Sequence, residues 1–124
     1  MLKAPVLFIA AAAVAGFMLA QDEATLQPFM KSFGPAAAAI RNAPDSAAAK
    51  GDAQKMADTF SKVGAFFKTK GMADAVEFAK GGADAAQAIA DGGDKAANLP
   101  KVMGACMSCH TAHREGSPGS FKLK

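Results

Sequence analysis

The sequence predicts an all-α domain, an antiparallel four-helix bundle, on three observations. The body is rich in alanine and poor in β-branched residues, a mix that favours helices over strands. Apolar residues recur at spacings of three and four in four separate stretches, which is helical periodicity. Short breaks of Gly, Pro, Asp and Lys separate those stretches, and short connections set amphipathic helices side by side in alternating directions.

Residues 1–20 stand apart from this body. Lys3 is followed by an apolar run from Ala4 to Ala20, and Gln21-Asp22-Glu23 then turns polar. That order of charge, apolar run and polar start is a secretory signal peptide. Cleavage after Ala20 leaves Met18 where a small residue is preferred, whereas Ala13-Val14-Ala15 offers a small-x-small site at the cost of a shorter apolar region. An uncleaved anchor is the competing reading, since the run is near the lower limit for spanning a bilayer. Either way residues 21–124 are expected outside the cytoplasm. They suffice for one small domain.

The first helix is expected from Thr25, as its cap, to about Asn42, where Ala43-Pro44 stops it. Leu26, Phe29, Met30, Phe33, Ala37 and Ile40 form its apolar face. Pro28 is tolerated in the first turn, and Pro35 predicts a kink at Gly34-Pro35. Gly34 lies one turn beyond Met30, where a missing side chain lets a flat ring come close. The second helix, capped by Asp45 or Ser46 and weakened at Gly51, carries the stripe Met56, Phe60, Val63 and Phe67. Lys68-Thr69-Lys70-Gly71 is a polar turn. The third helix covers Met72 to Ala90 with Val76, Ala79, Ala83, Ala86 and Ile89 inward; Gly81-Gly82 weakens its middle and Asp91-Gly92-Gly93 ends it. The fourth is expected to start near Asn98, with Pro100 in its first turn, and to end before Gly116 and Pro118. The tail to Lys124 is expected to be loose.

The fourth helix carries the chemistry. Cys106-Met107-Ser108-Cys109-His110 is a Cys-x-x-Cys-His motif, the pattern of covalent c-type haem attachment. Two thiols add to the two porphyrin vinyl groups, and the adjacent His offers its imidazole to the iron. On a helix Cys106, Cys109 and His110 share one face. A redox dithiol expects a βαβ setting. A zinc finger puts about a dozen residues between its Cys pair and its His pair, whereas here His110 and His113 follow Cys109 almost at once. A disulfide between Cys106 and Cys109 closes too small a loop to stabilise much. The chain has only two cysteines and spends both here. One covalent haem c is therefore expected, in keeping with the export signal.

Composition agrees. The aromatic residues are nine Phe, with no Trp or Tyr. A core of Ala and a few Phe is thin, and a buried porphyrin supplies apolar bulk. The formal charge is +3, falls by one if Lys3 is removed, and comes near zero with two haem propionates. The charges lie on ordinary solvated helix faces, with no basic patch for nucleic acid.

A four-helix chain with this motif on its last helix resembles the class II c-type cytochromes, the cytochrome c′ group. Val102-Met103-Gly104-Ala105-Cys106 through His110-Thr111-Ala112-His113-Arg114 looks like the family's ending, with His113 where an aromatic usually stands and Arg114 kept. Phe29-Met30-Lys31-Ser32-Phe33-Gly34-Pro35 resembles its first helix, where Met or another apolar residue stands over the distal haem face. The resemblance spans roughly Leu26 to Arg114. Two departures stand out. Leu26 replaces an Arg usually found near a haem propionate, and the connection between the second and third helices is short.

The resemblance implies haem held by Cys106 and Cys109, His110 as proximal iron ligand, Met30 as distal ligand, and Phe33 and Gly34 beside the ring. With Met30 bound the protein is expected to be a periplasmic mono-haem electron carrier working with redox protein partners. With Met30 merely packed, the iron is five-coordinate and binds small gases such as nitric oxide. Retention of residues 4–20 would instead make the chain a membrane-anchored haem subunit of a redox complex. Family members are often homodimers through their first two helices. Met103, Met56, Met72 and His113 are weaker rivals for the iron, with His113 expected to be solvated or near the porphyrin edge. An enzyme is not expected, because a pocket of Met and Phe offers no acid–base group.

Overall fold

The structure, a computed structural model, describes residues 23–116 and 122–124. The expected signal segment, residues 1–20, lies outside them. Four helices make up nearly all of it: α1 Glu23–Asn42, α2 Ser46–Thr69, α3 Ala73–Ala90 and α4 Lys95–His113. Among the described residues, no helix is long and apolar enough to cross a membrane.

Local chemistry explains the boundaries. Asp45 caps α2 by accepting a hydrogen bond from the Ala48 amide at 2.8 Å, a device worth about 1 kcal/mol. Gly71 turns the chain between α2 and α3 at φ 69°, a left-handed conformation suited to glycine. At the far end of α3 the Gly93 amide donates back to the Ala88 carbonyl at 2.7 Å. Asp94 then caps α4 through the Ala96 amide. This moves the start of α4 to Lys95, ahead of the expected Asn98, because the Asp94 carboxylate supplies the cap, and it puts Pro100 beyond the first turn, inside the helix. Likewise α1 already includes Glu23, so Thr25 lies within the helix instead of capping it. The chain stays helical through Pro35, Gly51 and Gly81-Gly82.

α2 is the central element. It packs extensively on α3, and α1 lies along its other side, while α4 packs on α3. Contact with two neighbours buries more than one stripe of α2. Met56, Phe60, Val63 and Phe67 are buried as their spacing predicts, and so is Phe66, edge-on to Phe67 with ring centroids 5.3 Å apart. No buried residue among those described is polar or charged. Gly82 is buried against Phe60: a Cβ there would come within 2.6 Å of the ring. The expected weak point is thus where α3 approaches α2 most closely. Gln54 and Gln87 exchange reciprocal amide hydrogen bonds of 3.0 Å across the same pair of helices.

End-to-end contacts set the directions. Ser46 at the start of α2 donates to the Gly93 carbonyl beyond the end of α3. Lys95 at the start of α4 donates to the Arg41 and Ala43 carbonyls at the end of α1, where a cation also complements the helix dipole. At the opposite end, His113 of α4 meets Asp74 of α3. The arrangement is compatible with a four-helix bundle. α1 and α4 nevertheless touch only slightly, so the seam between them is open.

The described end of the chain is not loose. Arg114–Glu115 (β1) pairs antiparallel with Lys122–Leu123 (β2). The Leu123 amide donates to Glu23 Oε1 at 3.0 Å, and the Lys124 amide to the His113 carbonyl at 2.9 Å. Three polar anchors and the partly buried Leu123 side chain, packed on the core, outweigh the fraying expected of a terminus.

Candidate functional site

The open α1–α4 seam leads into a cavity of about 730 Å³, within the size range of small-molecule and cofactor sites. α4 contributes Ala105, Cys106, Cys109, His110 and His113, and α1 contributes Leu26, Met30, Lys31 and Phe33. Phe60, Val63 and Phe67 of α2 and Phe78 of α3 complete an apolar interior. The helical phase that puts Cys106, Cys109 and His110 on one face of α4 therefore turns all three into one cavity. The same phase on α1 brings Met30 and Phe33 to it.

The floor is tightly packed. Phe33 lies against Phe60 with centroids 4.5 Å apart and planes tilted by 39°. Phe60 in turn fills the space over Gly82. A glycine on α3 thus helps set, through two tilted rings in contact, the shape of the cavity.

Burial sets the protonation of the motif. It pushes the Cys106 thiol up. Cys109 is pushed up to about 11, by burial first and then by the nearby Asp74 carboxylate and Cys106. Both cysteines are free thiols. Burial also holds the His110 pKa below its ordinary value, and the Arg114 guanidinium adds to this. A neutral imidazole keeps a nitrogen lone pair for a metal.

His113 is more involved than its sequence position suggests. Its side chain is 14% exposed, and its Nε2–H donates to Asp74 Oδ2 at 2.8 Å. Its ring centroid lies 6.3 Å from that of Phe67. The pair joins the first turn of α3 to the last turn of α4, and the α3 dipole favours the Asp74 carboxylate. Asp74 sits two positions past the N-cap of α3, an acid among the unbonded amides there. Nothing in the sequence alone linked it to His113, 39 residues away.

The remaining sequence candidates separate cleanly. Gly34 is exposed and outside the cavity lining, and a Cβ there would meet nothing within 4 Å. Its position one turn past Met30 carries it beyond the cavity. Met56 is buried in the core, and neither Met72, Met103 nor Met107 lines the cavity. Among the described methionines Met30 alone does. Leu26 is 7% exposed and forms apolar wall. Glu23, Gln27, Lys31, Arg114, Lys122 and Leu123 also line the cavity.

The donor set bears on what the cavity could hold. Among the described residues no three His, Cys, Asp or Glu side chains gather into a metal-holding group. Two thiols and an imidazole on one wall of an apolar cavity suit a planar ligand that brings its own four nitrogens. Comparison with family models, with curated proteins and with solved structures returned no match to this chain.

Proposed function

We propose that the chain is an exported mono-haem c-type cytochrome that carries electrons between redox proteins. The observation that carries this reading is the shared cavity: Cys106, Cys109 and His110 of the attachment motif line it together with Met30 and Phe33. In this reading each thiol adds across one vinyl group, forming a carbon–sulfur bond while its hydrogen goes to the neighbouring carbon. No oxidant is needed. His110 through its imidazole and Met30 through its thioether would hold the iron. Bound there, the haem supplies a one-electron iron couple whose potential Met ligation raises relative to a second His.

The chain's own residues supply the rest. Phe33, Phe60, Val63 and Phe67 exclude water and lower the local dielectric. The cationic side chains of Lys31, Arg114 and Lys122 offer counter-charge to the ring's carboxylates. The resemblance to the cytochrome c′ group supports the same assignment through its residues at 102–114 and 29–35.

Expression with export and a haem-attachment system tests the proposal. The peptide containing Cys106 and Cys109 should retain visible absorbance after acid–acetone extraction and carry a haem mass. Cys106→Ala with Cys109→Ala should lose it. An unmodified peptide from a host that loads other c-type cytochromes would sink the reading. An oxidised and reduced spectrum, with and without carbon monoxide, then decides the sixth position. Low-spin bands unaffected by the gas mean Met30 is bound. A high-spin spectrum that shifts with the gas means an open site, and the gas-binding function replaces electron transfer.

A further inference from the structure

We propose that the C-terminal residues Lys122 and Leu123 close the α1–α4 side of the cofactor cavity, and that Leu123 restricts the access of water and small ligands to it. The inference rests on the haem reading for the identity of the occupant, but its geometry stands on separate observations. The α1–α4 seam is held at one end by Lys95 reaching the Arg41 and Ala43 carbonyls. The helices themselves touch little along it. At the other end the clasp is the C-terminal segment. Lys122–Leu123 pairs with Arg114–Glu115 next to α4, and the Leu123 amide reaches across to Glu23 Oε1 on α1. The Lys124 amide adds a bond to the His113 carbonyl.

The side chains fit the same role. Leu123 is partly buried, packs against the core and lines the cavity. Lys122 lines it too, while remaining exposed. An apolar residue inward and a cation at the rim suit a ligand with a flat apolar body and a carboxylate edge. Leu123 is thus the more deeply placed of the two, and Lys122 stays in water at the rim. The clasp joins the helix carrying Met30 to the helix carrying His110. Opening it therefore widens the gap between the two residues expected to face the haem.

The test uses the full-length haem-loaded protein, Leu123→Asp and Glu23→Ala. Hydrogen exchange at the Leu123 amide is read with the rate of carbon monoxide binding, the latter measured with Met30→Ala in parent and variants alike so that the sixth position is open. The Leu123 amide should be protected in the parent chain and exchange freely in Glu23→Ala. Leu123→Asp should speed ligand binding by at least about tenfold, as expected when one buried Leu contact is lost, with unchanged helical circular dichroism. An unprotected Leu123 amide, or ligand rates within twofold of the parent in a haem-loaded Leu123→Asp variant, overturns the proposal. A peptide without haem overturns the cytochrome reading instead. In that event amide protection at Leu123 and its loss in Glu23→Ala still decide whether the clasp exists.

Discussion

Cys109 is a thiol whose surroundings oppose ionisation. With its pKa pushed up from 9.0 to about 11 by burial, the fraction of thiolate at pH 8 falls about a hundredfold below that of an unperturbed thiol. Haem-free protein should therefore react slowly with iodoacetamide at pH 8, and the rate should climb steeply as pH approaches 11. Fast labelling that is flat above pH 8 would contradict the burial. Met30 is tested by substitution. Met30→Ala should convert a six-coordinate spectrum to a five-coordinate one that responds to carbon monoxide, and an unchanged spectrum would remove Met30 from the iron. Asp74 has a pH signature. Its hydrogen bond from His113 is the main cause holding its carboxyl below 3.8, against a smaller opposing effect of burial. A depressed folded pKa stabilises the native state fully above the unfolded value, and that stabilisation is lost as pH falls through the folded value. Acid denaturation of Asp74→Asn should lack this component below about pH 4, and equal acid profiles would show the pair to be inert.

Among the elements, α3 and α4 illustrate how a local weakness acquires a use. Gly82 costs helix stability in isolation, by about 1 kcal/mol against Ala. Its buried contact with Phe60 reverses the expected gain from substitution. Gly82→Ala drives a Cβ into a ring that is itself backed by Phe33. The variant should lose about 1–3 kcal/mol in denaturant unfolding through overpacking, and the haem spectrum should shift with the displaced Phe33. A stabilised variant with an unaltered spectrum would show that Phe60 moves aside freely. On α4, Asp94→Ala should cost about 1 kcal/mol through loss of the cap. It should leave haem attachment intact, since Cys106 begins three turns further on.

For the molecule as a whole, the core is thin and continuous with the site. Phe60, Val63 and Phe67 are at once core residues and cavity lining. Apolar ligand in the cavity thus adds to the same buried surface that holds the helices together. A ligand that binds only the folded state also raises stability by mass action, and covalent attachment prevents its loss. Haem-loaded protein should consequently melt well above its haem-free form, and equal melting temperatures would mean that the cavity is not the binding site.

Much was legible in the residues taken alone. The spacing of Met56, Phe60, Val63 and Phe67, the breaks at Ala43-Pro44 and Asp91-Gly92-Gly93, and the shared face of Cys106, Cys109 and His110 follow from helical geometry, which each segment carries in its own sequence. What the tertiary structure decided were relations between segments. Asp94 displaced the start of α4, because its side chain can bond an amide that Asn98 would leave open. Phe66 is buried because α2 touches two neighbours, and Gly34 is excluded because the cavity ends before it. Asp74 meets His113, and the Leu123 amide meets Glu23, because packing brings together residues far apart in the chain. Periodicity determines which side of a helix is apolar; only the assembled helices determine what that side faces.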